Sequence, residues 1–195
     1  INDTSFEYNG PIGFELRGQT SQDLFPKKGY GFETRNEDGT NNNVKLLGLP
    51  KENDWVLHGP YSDKTLIRNA LTFTMAEKFM IYAPRVKFCE LVIDEEYRGV
   101  YLLIEKIKVD KNRVNISKIE KEDIAGDALT GGYMRKFDKK GAGERSWISD
   151  YKPIQNSYQN TEFIHLYPKS NDIAPEQQNY IRGFISDFED ALMGN

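Results

Sequence analysis

A glycine-and-hydroxyl string, two lysines and a carboxylate are the residues of this chain best suited to holding a phosphate. Arg17-Gly18-Gln19-Thr20-Ser21 is followed by Pro26-Lys27-Lys28. A glycine turn between two strands can aim N–H groups and hydroxyls at an anion. A lysine on the returning strand can then pair with that anion as a point charge. Strand parity puts Lys28 on the face of Tyr30 and Phe32, and Lys27 on the other. An ordinary hairpin with two solvated lysines would read the same way, because one glycine is a weaker signal than a GxGxxG loop. Glu77 comes eleven residues after Leu66, about 20° away on a helix of 3.6 residues per turn. It therefore falls on the apolar stripe of Leu66, Ala70 and Phe73, where a carboxylate needs a partner. Lys28 is a candidate partner; the alternative is a helix-end side chain reaching water. The run Tyr101-Leu102-Leu103-Ile104 leads into Glu105-Lys106-Ile107. It could supply the wall and backbone edge that read an adenine, or be an amphipathic strand with a charged end.

Other candidates carry less. Glu120, Glu122, Asp123 and Asp127 form a loose acidic group near Gly131-Gly132 that reads as a solvated turn. His165 alternates with Phe163, Ile164 and Leu166 on a short strand and reads as structural. Cys89 sits mid-strand as a small apolar residue. No Ser-His-Asp order or nucleophile elbow is present. Asn2-Asp3-Thr4 and Asn115-Ile116-Ser117 match the glycosylation pattern, which is frequent by chance.

The elements that must position these residues follow from periodicity. Ile12, Phe14 and Leu16 alternate with polar or small residues as a half-buried strand, and Gly18 to Ser21 break it as a turn. Lys28 to Thr34 is the returning strand, and Trp55-Val56-Leu57 is a further apolar piece. Ser62 or Asp63 caps a helix running to about Met80, which Tyr82-Ala83-Pro84 ends. Val86 to Ile93 and Val100 to Val109 are strands, joined by a hairpin loop at Asp94 to Gly99. Tyr133 to Phe137 and Phe163 to Tyr167 are shorter strands. Pro175 opens a last helix with Tyr180, Ile181, Phe184, Ile185, Phe188 and Leu192 at helical spacing, and Gly194 closes it.

Composition bounds what such a chain does. Its 195 residues carry a net charge of −4, with 29% charged and 12% aromatic residues, which describes a globular domain. The acidic balance argues against a dedicated nucleic-acid binder. No apolar run is long enough for a membrane span. One cysteine and two histidines exclude an internal disulfide and leave little for a zinc site. The start at Ile1 is neither an initiator Met nor a signal peptide, so the sequence reads as a piece of a longer protein.

Several strings, taken in order, resemble the spore coat protein H (CotH) family. They are Arg17-Gly18-Gln19-Thr20-Ser21, Phe25-Pro26-Lys27-Lys28-Gly29-Tyr30, Leu47-Gly48-Leu49-Pro50 and Asp54-Trp55-Val56-Leu57. Pro60-Tyr61-Ser62-Asp63-Lys64, Arg68-Asn69-Ala70, Tyr82-Ala83-Pro84, Gly99-Val100-Tyr101-Leu102, Glu105-Lys106-Ile107 and Gly131-Gly132-Tyr133 continue the match. It runs from about residue 10 to the C-terminus, and the ordered set is specific where each string alone is not. The resemblance implies an atypical, kinase-like protein that transfers the γ-phosphate of ATP to Ser or Thr of a coat or surface protein. It implies an α+β fold over one truncated domain, residues 1–195. About 10–107 would be a kinase-like small lobe, an antiparallel sheet with one packed helix. Residues 108–195 would begin a second lobe, with short strands and a C-terminal helix.

By the same resemblance Gly18, Thr20 and Ser21 belong to the phosphate loop, Lys28 pairs with phosphate, Glu77 fixes Lys28, and Glu105 and Lys106 lie at the hinge. ATP with Mg²⁺ or Mn²⁺ is implied for the whole protein and none for the fragment. A protein acceptor is the implied partner, with no nucleic acid, and a secreted or cell-surface bacterial setting is implied. Two departures qualify this. The family often has Gly-Gly-Tyr-x-x-Glu-x-Asp, whereas here Lys136 takes the glutamate's place and Asp138 keeps the last acid. The family's catalytic and metal-binding aspartates lie in Asn-x-Asp and Trp-Asp-Phe-Asp stretches beyond the last helix, and neither stretch is found there in these residues. The fragment is therefore expected to be inactive alone. The rival functions are a non-catalytic surface binding module, with Trp147, Tyr151 and Tyr158 as its exposed aromatics, and a pseudokinase.

Overall fold

The computed structural model describes residues 7–152 and 160–194. The chain divides into two compact units, with the boundary after Val114.

Unit 1 holds β1 (Ile12–Arg17), α1 (Thr20–Leu24), β2 (Gly29–Thr34), β3 (Asp54–His58), α2 (Arg68–Ala76), β4 (Val86–Ile93) and β5 (Glu96–Glu105). Its strands form one antiparallel sheet in the order β1-β2-β3-β5-β4. With α2 this is the expected α+β arrangement of a kinase-like small lobe. Period-two patterning divides the sheet into two apolar faces. Trp55, Leu57, Tyr101 and Leu103 pack with Leu49, Tyr30 and Phe32 on one. Val56, Leu102 and Ile104 receive Ala70 and Phe73 of α2 on the other. Alternation across both faces explains why the middle of β3 and the end of β5 are apolar without interruption.

Local chemistry moves several expected boundaries. The turn after β1 contains a five-residue helix, α1. Gly18, at φ +103°, swings the chain out of β1 there, and Phe25 N–H closes onto Ser21 O at 3.1 Å. Asp63 is a cap, but of a wider loop: its carboxylate accepts Thr65 N–H at 3.0 Å and Arg68 N–H at 2.8 Å. Leu66 takes φ +63° inside that loop, so α2 starts only at Arg68. The β4–β5 connection tightens to Asp94-Glu95, both at positive φ. A bulge at Leu91/Val92 then absorbs the mismatch, and β5 begins at Glu96 rather than Val100.

Unit 2 holds α3 (Gly126–Leu129), β6 (Met134–Lys136), β7 (Ser146–Ile148), β8 (Glu162–Tyr167) and α4 (Pro175–Met193). Its three strands are ordered β6-β8-β7, all antiparallel. Trp147, Phe163 and Ile181 form the core with Tyr133, Tyr180 and Ile185. The strand β7 is too short for periodicity to reveal. Trp147 on it is 8% exposed and stacks on Phe163, so it is core and not a surface aromatic for a binding module. Tyr151 is half-buried with its hydroxyl on Asp190 at 2.5 Å, and Tyr158 lies outside the described residues. The helix α4 starts at Pro175 and ends at Gly194 in the left-handed region. Buried Gln177 ties its first turn down, accepting Ala174 N–H and donating to Glu120 O and Asp123 O.

Candidate functional site

Side chains on the α2 side of the sheet leave a cleft of about 340 Å³ over β1, β2 and β3. Two glycines make its floor. A Cβ at Gly13 would stand 2.7 Å from the Arg35 guanidinium, and one at Gly31 would stand 3.2 Å from Glu15 Oε1. Neither strand therefore carries a side chain there, and the groove stays open between the longer residues on either side. Arg17 lies at the end of β1, where the chain turns into the Gly18 loop. Lys106 enters from the end of β5.

The charges lining the cleft are unequally matched. Arg35 pairs with Glu33 at 3.1 Å, and Lys106 pairs with Asp54 at 3.1 Å. Arg17 has no ion-pair partner among the described residues. Near it, Lys27 Nζ donates to Val100 O at 2.6 Å and lies 4.5 Å from the Tyr101 ring centroid. Burial lowers the Lys27 pKa and pushes Tyr101 up to about 12. His58 closes this corner at the end of β3, its pKa lowered first by burial and then by Arg17 and Lys27, with Asp63 opposing. The loop end of the cleft is thus a basic corner that an anion would compensate.

The expected site residues are placed as follows. Gly18 is required by its φ of +103°, which residues with a Cβ rarely adopt. Thr20 and Ser21 open α1 beside it. Lys28 directs its ammonium at Gln22 O (2.5 Å) and Phe25 O (2.8 Å), closing the last turn of the same loop. Glu77 is exposed at the C-terminal cap of α2, its N–H on Phe73 O. No ion pair joins Lys28 and Glu77 among the described residues. The stripe places Ala70 and Phe73 on the sheet, but α2 ends at Ala76, so Glu77 turns to water. Glu105 is buried on the opposite sheet face from the cleft. Its Oε2 accepts Arg85 N–H at 3.1 Å and Arg85 Nε at 3.0 Å, and its Oε1 forms an ion pair with Arg85 Nη2 at 2.9 Å. Lys106, the next residue, lines the cleft. The structure therefore gathers Gly18, Thr20, Ser21 and Lys28 in one loop and sets Lys106 in the cleft, while Glu77 and the Glu105 side chain stand apart.

Sequence reasoning passed over Arg17 and Lys27 as site residues. Arg17 was legible as the last residue of a strand on the face of Gly13 and Glu15. Lys27 was not, because its ammonium reaches β5, a pairing remote in sequence. In unit 2, Asp123 of the acidic group Glu120 to Asp127 is used locally, its Oδ2 accepting Glu120 N–H at 2.7 Å. No group of three His, Cys, Asp or Glu able to hold a metal occurs among the described residues. None of the helices searched there is long and apolar enough to cross a membrane.

The chain matches the family model described as CotH kinase protein over residues 14–192. No curated protein matches the chain.

Proposed function

The chain belongs to the CotH kinase protein family, and on that premise we propose that it is the nucleotide-holding part of an ATP-dependent protein kinase. The observation that carries this is the glycine-floored cleft with an unpaired arginine at its loop end. A purine would lie over Val56 toward Lys106, where β5 hands the chain on. The phosphates would extend toward Arg17 and the Gly18–Lys28 loop, with Lys27 and Lys28 as the reserve of positive charge. Such a loop orients the phosphate chain and offsets its charge, the larger part of what a protein contributes to phosphoryl transfer.

Bound ATP supplies the γ-phosphoryl group, and a Ser or Thr hydroxyl of a coat or surface protein is the acceptor. Mg²⁺ or Mn²⁺ finds no matching ligand set among the described residues, so no step is assigned to these residues beyond binding and orientation. The test is a calorimetric titration of the 195-residue chain with ATP, beside Arg17→Ala and Lys28→Ala. Binding that weakens about tenfold in either variant, an effect of about 1.4 kcal/mol, supports the assignment. Equal affinity in all three removes the loop from the site. Incubating the whole protein with ATP and Mg²⁺ or Mn²⁺, read by intact mass, then separates a kinase from a protein that only binds nucleotide.

A further inference from the structure

A second candidate anion site on unit 1 shares no lining residue with the cleft. The turn Leu46-Leu47-Gly48-Leu49 places Leu47 at φ +50° and Gly48 at φ +75°. Two successive left-handed residues turn their N–H groups into one concavity, a shape that binds anions. A carboxylate already occupies it: Glu7, forty residues away, accepts from Leu47 N–H and, at 3.2 Å, from Gly48 N–H. Leu47 holds a conformation that L-residues with side chains avoid, and the concavity depends on it.

Beside this turn runs an open groove of about 540 Å³, lined by Gly48, Lys45, Lys51 and Lys111, with Asp110 on the same wall. All three lysines are exposed. None of them makes a hydrogen bond or ion pair among the described residues. The neighbouring acids are taken: Lys106 and Lys108 hold Asp54, and Lys108 also holds Glu52. Asp110 receives Asn112 N–H at 2.7 Å. The groove therefore gathers three lysines against one carboxylate in a chain whose net charge is −4. Asn43 and Asn112 also line it, residues whose amides suit peptide N–H and C=O groups.

We propose that this groove binds an acidic peptide segment. One carboxylate of the segment takes the Leu47–Gly48 N–H pair and others meet Lys45, Lys51 and Lys111. Glu7 is the internal competitor for the first of these positions. The choice of a carboxylate ligand rests on the group already seated there.

The test is fluorescence anisotropy of the 195-residue chain with a labelled peptide of Glu and Asp alternating with Gly, against its Gln/Asn counterpart. Wild type should bind the acidic peptide and not the amide one. Glu7→Gln should tighten binding three- to tenfold by vacating the N–H pair. Lys45→Ala with Lys51→Ala should weaken it at least tenfold, while Lys121→Ala with Lys169→Ala in unit 2 should leave it unchanged. Three results would each overturn the proposal: no binding by wild type and Glu7→Gln, an affinity indifferent to Glu7→Gln, or an unrelated DNA oligonucleotide binding as tightly as the peptide. Glu7 is exposed near the chain start, so the Glu7→Gln arm stands even if the lysine variants misfold.

Discussion

Arg113 in unit 1 lies 5.1 Å from the Trp55 ring, and Arg135 in unit 2 lies 5.4 Å from the Trp147 ring. Burial lowers the pKa of both. Each gives one nitrogen to backbone carbonyls, Arg113 to Lys106 O and Arg135 to Met134 O and Tyr167 O. In each, Nε and Nη2 are buried without a hydrogen-bond partner among the described residues. What differs is the surroundings. Glu52 and Glu105, then Tyr82 and Asp54, hold Arg113 toward its charged form. Arg135 has only the Tyr133 phenol in that role, and its pKa falls to about 10. Both arginines lie over aromatic rings, and Arg113 is stabilised by nearby carboxylates as well.

The largest effect should come from the carboxylate at the centre of the compensated region. Glu105 is 1% exposed and serves Arg85 through backbone, Nε and Nη2. Glu105→Ala should cost about 3 kcal/mol, the lower end of the range for breaking a buried pair, because the Arg85 side chain is 36% exposed and regains water. Urea denaturation followed by tryptophan fluorescence reads this loss. A loss below about 1 kcal/mol would show that Arg85 and Arg113 rely on water or on Glu52 and Asp54, and the comparison would lose its first half.

Parts of this contrast were legible in the sequence. The alternation in Ile12 to Leu16 and in Tyr30 to Thr34, the apolar run at Tyr101 to Ile104 and the α4 stripe gave the elements, because burial on a periodic element leaves a periodic pattern. The Gly18 loop was legible as a turn because a glycine marks positive φ. The partners of buried charges were not. Glu105 reads as a strand end, yet its use is fixed by Arg85, which pairing of β4 with β5 brings beside it. Glu77 failed in the opposite way: its place on the stripe was sound, but the helix ended one residue earlier. Nothing in Ser146-Trp147-Ile148 distinguishes a three-residue strand from a loop, so Trp147 looked like surface.

A smaller, pH-dependent effect belongs to the uncompensated region. His165 is 2% exposed, and neither ring nitrogen has a hydrogen-bond partner among the described residues. It pairs across the sheet with Arg135 and lies edge-on to Trp147 at 5.4 Å. Burial first, then Arg135 and Arg145, bring its pKa from 6.5 to about 4. The unfolded chain thus takes up the proton before the folded one does. Stability is complete above pH ~6.5 and falls as pH drops toward ~4, by up to about 3 kcal/mol. Carboxylates titrate over part of the same window, so the readout is the difference between wild type and His165→Phe. Melting temperatures at pH 7.5 and 4.5 should diverge, the variant losing less at low pH. Parallel losses would place a hidden acceptor or water on the imidazole.

The smallest change in stability at neutral pH is expected from Arg135→Met. The substitution removes a cation that burial disfavours and leaves the carbonyls of Met134 and Tyr167 without that donor. These contributions oppose each other, and thioether contacts with the Tyr133 and Trp147 rings replace the guanidinium stacking. The net effect should lie within about 1 kcal/mol of zero. The variant should still be visible at low pH. Arg135 is one of the two charges that depress His165, so its loss raises the imidazole pKa and shrinks the acid-induced destabilisation. Arg135→Met and His165→Phe should therefore be non-additive at pH 4.5 and more nearly additive at pH 7.5, as a double-mutant cycle would show. A neutral-pH loss above about 3 kcal/mol for Arg135→Met would mean that an anion compensates this arginine after all, and the two units would then treat their buried charge alike.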